Sequence, residues 1–320
     1  MNEKLIALIE REVIDFLDED QIERLHNILV QISSAEEKCS KDSEVIKMFL
    51  ASKRVEGCSE KTIKYYDSTI RNMMNAVKKE YFDISTDDLR IYLNDYQEKN
   101  SVSKVTIDNI RRILSSFFAW LEDEDYITKS PVRRIHKIKL CKKVKETYSD
   151  ENLEVLRDNA ECDRDLAIID LLASTGMRVG ELVKLNRSDI NFEDREIVVL
   201  GKGNKQRVVY FDARTKLHLQ AYLSGRTDDE EALFVSLQKP YKRLQISGVE
   251  IRLRELGRKL NINKVHPHKF RRTLATVAID KGMPIEQVQC MLGHQSIDTT
   301  LQYAMVNQNN VKIAHKKFLG

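Results

Sequence analysis

Apolar residues recur at helical spacing over most of this chain. Leu5, Leu8, Ile9, Val13, Phe16 and Leu17, then Ile22, Leu25, Ile28 and Leu29, predict one or two amphipathic helices within residues 4–32. The polar, Ser-rich stretch ISSAEEKCSKDS after them reads as a connection. Four helices are expected between residues 43 and 131. Ser59 is placed to cap one whose buried face is Ile63, Tyr66, Ile70, Met73, Met74 and Val77. Ser103 is placed to cap another, with Ile107, Ile110, Ile113, Leu114, Phe117 and Leu121 on one stripe. Pro131 cannot continue a helix, so this module ends there.

Past Tyr148 the pattern starts afresh. SDENLEVL carries the N-cap and early acids of a helix start, and DLAIIDLLAST is so uniformly apolar that its helix must be buried. Strand patterning is clear only in REIVVLGKGNKQRVVYF, two β-branched runs around a Gly/Asn/Lys turn, which predicts a small antiparallel hairpin. Helices are expected again from 212 to the end. The fold class is therefore mainly α with a small antiparallel β-hairpin or sheet. The expected division is a helical N-terminal extension (1–38), a helical domain (43–131), a linker (132–147), a mixed α+β domain (148–307) and a tail (308–320). The tail, VNQNNVKIAHKKFLG, has the apolar positions Val311, Ile313, Ala314 and Phe318 of a short helix.

Composition supports this division. A chain of 320 residues suits two domains, and 32% charged residues with only four prolines suit a helix-rich fold. The net charge of +3 averages over unlike segments. Residues 1–30 hold eight acids against three bases, whereas RRIHKIKLCKKVK carries Arg133, Arg134, Lys137, Lys139, Lys142, Lys143 and Lys145 with no acid. That run suits a polyanion or plain water. The five cysteines form no CxxC pair, which argues against a disulfide framework or zinc ribbon and for a reducing cytoplasm. The acidic amphipathic start is unlike a signal peptide, and no apolar run approaches membrane-spanning length.

Three patches of the second domain hold polar residues that a core would not choose. TGMRVGEL sets Arg178 and Glu181 on one helix face, though a surface ion pair would look the same. HPHKFRRT sets His268 and Arg271 together, with Phe270 and Leu274 turned to a core and Arg272 about 100° round from Arg271; a solvated basic helix is the plain alternative. GKGNKQR places Lys202 and Lys205 in the hairpin turn, where most lysines serve solubility. Zinc on His266, His268, Cys290 and His294 is disfavoured by the adjacent arginines and by the lack of standard ligand spacing. If the patches meet with LGHQSIDTTLQY around one anion, they suit phosphate chemistry. Paired guanidinium donors hold the charge on a five-coordinate phosphodiester, and no metal is needed. A phenol, with a reference pKa of about 10, then attacks if a base takes its proton or cations lower that value, and His268 with its neighbours suits both. A mobile lysine such as Lys202 can protonate the leaving sugar oxygen.

These four motifs, TGMRVGEL, GKGNKQR, HPHKFRRT and LGHQSIDTTLQY, resemble in order the boxes of the tyrosine recombinases, or phage-integrase family, and most closely its short Xer-like bacterial members. The resemblance covers about residues 43–305. It implies a C-shaped DNA clamp made of a helical core-binding domain and a catalytic domain. It implies the catalytic set Arg178, Lys202, His268, Arg271, His294 and Tyr303, with Glu181 in support and Tyr303 forming a 3′-phosphotyrosyl bond. It further implies duplex DNA with a specific recombination site as partner, a homotetramer on synapsed DNA, no cofactor, and the bacterial cytoplasm. The basic linker residues Arg133, Arg134, Lys137, Lys139, Lys142 and Lys143 would then track DNA phosphates. Phe270 and Arg272 stand where the family more often has Leu and His, and Ala-Met-Val follows Tyr303 where Thr-His is common. Residues 1–38 lie outside the resemblance, and their acidity suggests contact with an accessory protein. The tail is expected to pack on its own domain or on a neighbouring protomer. A type IB topoisomerase-like enzyme and a catalytically silent DNA-binding protein of the same fold are the alternative functions.

Overall fold

The structure, a computed structural model, describes residues 19–138, 146–201 and 206–303, with only the backbone course for 19–20 and 30–42. It divides into two compact units, 1–142 and 143–320.

The first unit is built on α1 (Glu19–Val55), α2 (Glu60–Val77), α3 (Thr86–Asn100) and α4 (Lys104–Asp123), followed by a 3-10 turn, Pro131–Arg134. The starts of α2, α3 and α4 are capped as their sequences dictate. Ser59 and Ser103 accept from the amides of Thr62 and Thr106, and Ser85 with Asp88 forms a reciprocal capping box. The connection expected at ISSAEEKCSKDS is corrected: the backbone stays helical from Glu19 through Val55. That stretch holds neither Gly nor Pro, and Ser, Glu and Lys cost a helix little each. The core gathers Phe49, Ile63, Ile70, Met73, Leu89, Leu114, Phe117 and Leu121, with Phe49 stacked on Tyr66 and edge-on to Phe117. Hydrogen bonds fasten the start of the basic run to this core: Thr86 Oγ1 donates to the Pro131 carbonyl (2.7 Å), and the Ile138 amide to Asp108 (3.3 Å).

The second unit carries α5 (Asp150–Asp158), α6 (Asp163–Thr175), the single turn α7 (Val179–Leu182), a three-stranded sheet, then α8 (Ala213–Ser224), α9 (Ile246–Lys259), α10 (Pro267–Asp280), α11 (Ile285–Leu292) and α12 (Ile297–Leu301). The sheet is antiparallel in the order β1 (Ile190–Asn191), β2 (Glu196–Leu200), β3 (Gln206–Tyr210), with Val199 opposite Arg207 and Ile197 opposite Val209. The apolar α6 lies at the centre, packed among α5, α8 and α10, and buries Ile168, Ile169, Leu171 and Leu172 completely or nearly so. Helix does not resume unbroken after 212, a second correction. Residues between α8 and α9 form irregular backbone with two isolated β-bridges. The buried Arg226 side chain organises this segment by donating to the carbonyls of Glu230, Ala232 and Leu233, contacts a helix would use internally. No helix of the described residues is long and apolar enough to cross a membrane.

Candidate active site

Glycines bound the elements that carry the candidate residues. Gly176 ends α6 at φ +60, where a Cβ would lie 2.8 Å from Leu274 Cδ2, so the backbone turns there at close quarters into the arginine box. Arg178 is the N-cap of α7, and its amide donates to Glu181 Oε2 (2.8 Å) while its Nη1 donates to Oε1 (2.9 Å). This pair is not the surface ion pair that the spacing alone allows. Glu181's side chain is 4% exposed and is pinned by a second guanidinium, with Arg207 Nη1 and Nη2 each 2.7 Å from a carboxylate oxygen.

Pro267 opens α10 in its first turn, where a helix tolerates proline, so that His268 and Arg271 follow one turn apart. Phe270 is buried in the core, as its spacing predicts, and Arg271 is 2% exposed. Arg271 donates through Nη1 to the Gly176 carbonyl (2.7 Å) and through Nη2 to the Leu292 carbonyl. Burial, with Arg178 and Arg207 nearby, pushes its guanidinium down to about 10, so it stays charged at neutral pH. Arg272 does point elsewhere, donating to the Glu146 carbonyl (2.7 Å).

Gly293 ends α11 at φ +63 and turns the chain into His294. Ser296 then caps α12, and Tyr303 follows directly after it. The Tyr303 ring stacks on His294 (centroids 5.8 Å apart) and packs against the small cluster of Ala275, Ala278, Val288 and Leu292. His294 Nδ1 is 2.9 Å from Thr300 Oγ1, a contact within the same turn-and-helix element. Withdrawal from water, then the charges of Arg271, Arg178 and Arg207, lowers His294 to about 4, so it is neutral at pH 7. His268 is lowered likewise, by burial first and then by Arg271 and Arg178.

The structure therefore brings together Arg178, Glu181, His268, Arg271, His294 and Tyr303. Lys202, and with it Lys139, Lys142 and Lys143 of the basic run, lies outside the described residues. Arg133, Arg134 and Lys137 are on the first unit, with Arg133 and Arg134 exposed. Among the described residues no group of three or more His, Cys, Asp or Glu is placed to hold a metal. The side chain that sequence reasoning did not single out is Arg207. The sequence QRVVY carries no clear signal for it, because Val208 and Tyr210 are apolar yet exposed; in the structure β3 alternates, and Arg207 shares the inward face with Val209. Chemically, the site offers two guanidiniums that each engage two protein acceptors out of five N–H donors, two histidines biased to the neutral form, and a phenol against one of them. This set can hold a tetrahedral anion and present an oxygen nucleophile to it.

The chain matches the model of the phage integrase family over residues 142–310 and that of the phage integrase N-terminal SAM-like domain over residues 45–128. It is 32% identical over 290 residues to a tyrosine recombinase XerC of Leptospira interrogans, covering 86% of this chain and 93% of the relative. Its fold is similar to that of the XerH site-specific recombinase bound to a palindromic difH substrate, with a TM-score of 0.68 at 20% identity over 97% of this chain and 94% of that one. It is also similar to the Tn1549 transposon integrase in complex with a circular intermediate DNA, with a TM-score of 0.67 at 17% identity over 85% of this chain and 98% of that one. With a family model spanning more than half of its length and a relative aligned along most of it, the chain belongs to the phage integrase family and is a tyrosine recombinase, an enzyme of site-specific recombination.

Proposed function

We propose that this protein cuts and rejoins duplex DNA at a specific site through a covalent link between Tyr303 and a 3′ phosphate. The observation that carries the reading is the stacking of Tyr303 on a neutral His294 beside two arginines that keep N–H donors uncommitted among the described residues. Arg178 and Arg271 hold the non-bridging oxygens and the charge that grows on them. His294 orients the phenol, and His268 accepts its proton as the tyrosyl oxygen bonds to phosphorus. The bond to the 5′ oxygen breaks in the same displacement, and Lys202 supplies that oxygen with a proton. The 5′-hydroxyl of a partner strand reverses the sequence, so one phosphoester is exchanged for another and no nucleotide cofactor is consumed.

In this reading residues 43–131 form the core-binding domain, 148–307 the catalytic domain and 132–147 a linker that follows the phosphates. The enzyme works in the bacterial cytoplasm as a homotetramer on two synapsed sites, as the integrase or transposase of a mobile element or as an Xer-type resolvase. Residues 1–38 contact an accessory protein. A pool of randomised duplexes nicked on one strand tests the chemistry. The wild type is expected to form a denaturant-resistant DNA adduct that Tyr303→Phe does not form. An adduct retained in Tyr303→Phe, or none in the wild type, would exclude Tyr303 as the nucleophile. Relaxation of any supercoiled plasmid regardless of sequence would instead indicate a topoisomerase.

A further inference from the structure

Three consecutive carbonyls at the end of α11 each receive a different arginine. Met291 accepts from Arg207 Nε (3.2 Å), Leu292 from Arg271 Nη2, and Gly293 from Arg178 Nη2 (3.2 Å). The last carbonyls of a helix have no partners within it and carry its negative dipole end, so they suit cations. Here they set three guanidiniums side by side immediately before His294. Two of the three belong to the proposed phosphate clamp. The third, Arg207, commits three of its donors, two to Glu181 and one to Met291, against two side-chain donors each for Arg178 and Arg271. That leaves it badly placed to bind DNA.

We propose that Arg207 is a positioning residue for strand cleavage: it neutralises Glu181 and ties that carboxylate to the Met291 carbonyl of α11, so that Arg178 is oriented by Glu181 without giving up its charge to it. The inference rests on the phosphate-clamp reading of Arg178 and Arg271. Glu181 is buried and ionised, and Arg178 and Arg207 share its Oε1. A carboxylate accepts at about four lone-pair sites. With Arg207 in place those sites are filled from two sides, and Arg178 is held through one Nη and its backbone amide. Without Arg207 the uncompensated carboxylate would draw Arg178 onto itself and cancel the charge that the phosphate needs. Gly293 belongs to the same device, because a Cβ there would lie 2.8 Å from Arg207 Cδ.

The test compares wild type, Arg207→Lys, Arg207→Gln, Glu181→Gln and the Glu181→Gln/Arg207→Gln double variant for single-turnover adduct formation on the nicked pool and for DNA affinity. Arg207→Gln is expected to slow cleavage by about a hundredfold or more at saturating DNA, with affinity unchanged within about twofold. The double variant should cleave at least tenfold faster than Arg207→Gln, roughly the factor that one restored charge interaction supplies, and Arg207→Lys should fall between. If Arg207→Gln does not fold, the charge-balanced double variant and Arg207→Lys carry the comparison against Glu181→Gln. Cleavage by Arg207→Gln at the wild-type rate, a loss of affinity matching the loss of cleavage, or a double variant no faster than Arg207→Gln would each overturn the proposal. Failure of the clamp reading is told apart by the wild type, which then forms no Tyr303-dependent adduct.

Discussion

His294 shows how strongly single residues here are set by their neighbours. Its imidazole falls from the ordinary 6.5 to about 4, so between those values the unfolded chain binds a proton that the folded chain refuses. Stability from this group is therefore complete above about pH 6.5 and is lost as pH falls toward 4. His294→Gln is expected to flatten the wild-type slope of thermal midpoint against pH within that window, while leaving the steeper loss below it, where Glu181 and Asp228, each held near 2, take up protons. An unchanged slope would show that the imidazole is not held neutral. At this scale the sequence singled out Arg178, Arg271, His294 and Tyr303 only through four motifs taken together, since each patch alone allowed a plain alternative, and the structure brings these side chains into one site. Arg207 was harder to read because a strand arginine beside turn lysines looks like surface charge until the sheet register turns it inward.

Among elements, α11 has the largest role for its length. Eight residues long, it ends in Gly293 at φ +63, and the carbonyls there are distributed among three arginines. Gly293→Ala is expected to cost about 1–2 kcal/mol from the left-handed backbone and, through collision with Arg207, to slow cleavage as well. Gly282→Ala, at φ +91 with nothing within 4 Å of the added methyl, is the comparison: similar strain, normal cleavage. Differential scanning calorimetry and adduct formation on both variants separate the two effects. The helices themselves were legible because caps and 3.6-residue stripes are local. The continuous α1 and the irregular stretch before α9 were not, since the first depends on helix propagating through a polar segment and the second on Arg226 collecting carbonyls.

For the molecule as a whole, charge is partitioned more sharply than its net value of +3 conveys. Arg133, Arg134 and Lys137 stand where the first unit ends, between Pro131, which is held by Thr86, and Ile138, which is held by Asp108. If they contact phosphates, each change to Gln should weaken DNA binding across all sequences and lower the slope of log affinity against log salt by about one. Titrations at several salt concentrations check this, and unchanged slopes would remove these residues from the interface.

The sequence by itself determined the helical class, the hairpin and the helix starts at Ser59, Ser103 and Ser149, because these depend on side-chain type, periodicity and caps within a few residues. Only the tertiary structure decided that Glu181 is buried, that Arg207 faces it rather than solvent, and that Arg178, Arg207 and Arg271, far apart in sequence, meet on three successive carbonyls. Those outcomes depend on burial and electrostatic compensation among segments as much as 115 residues apart, and no local pattern encodes which of several available cations a buried carboxylate will take.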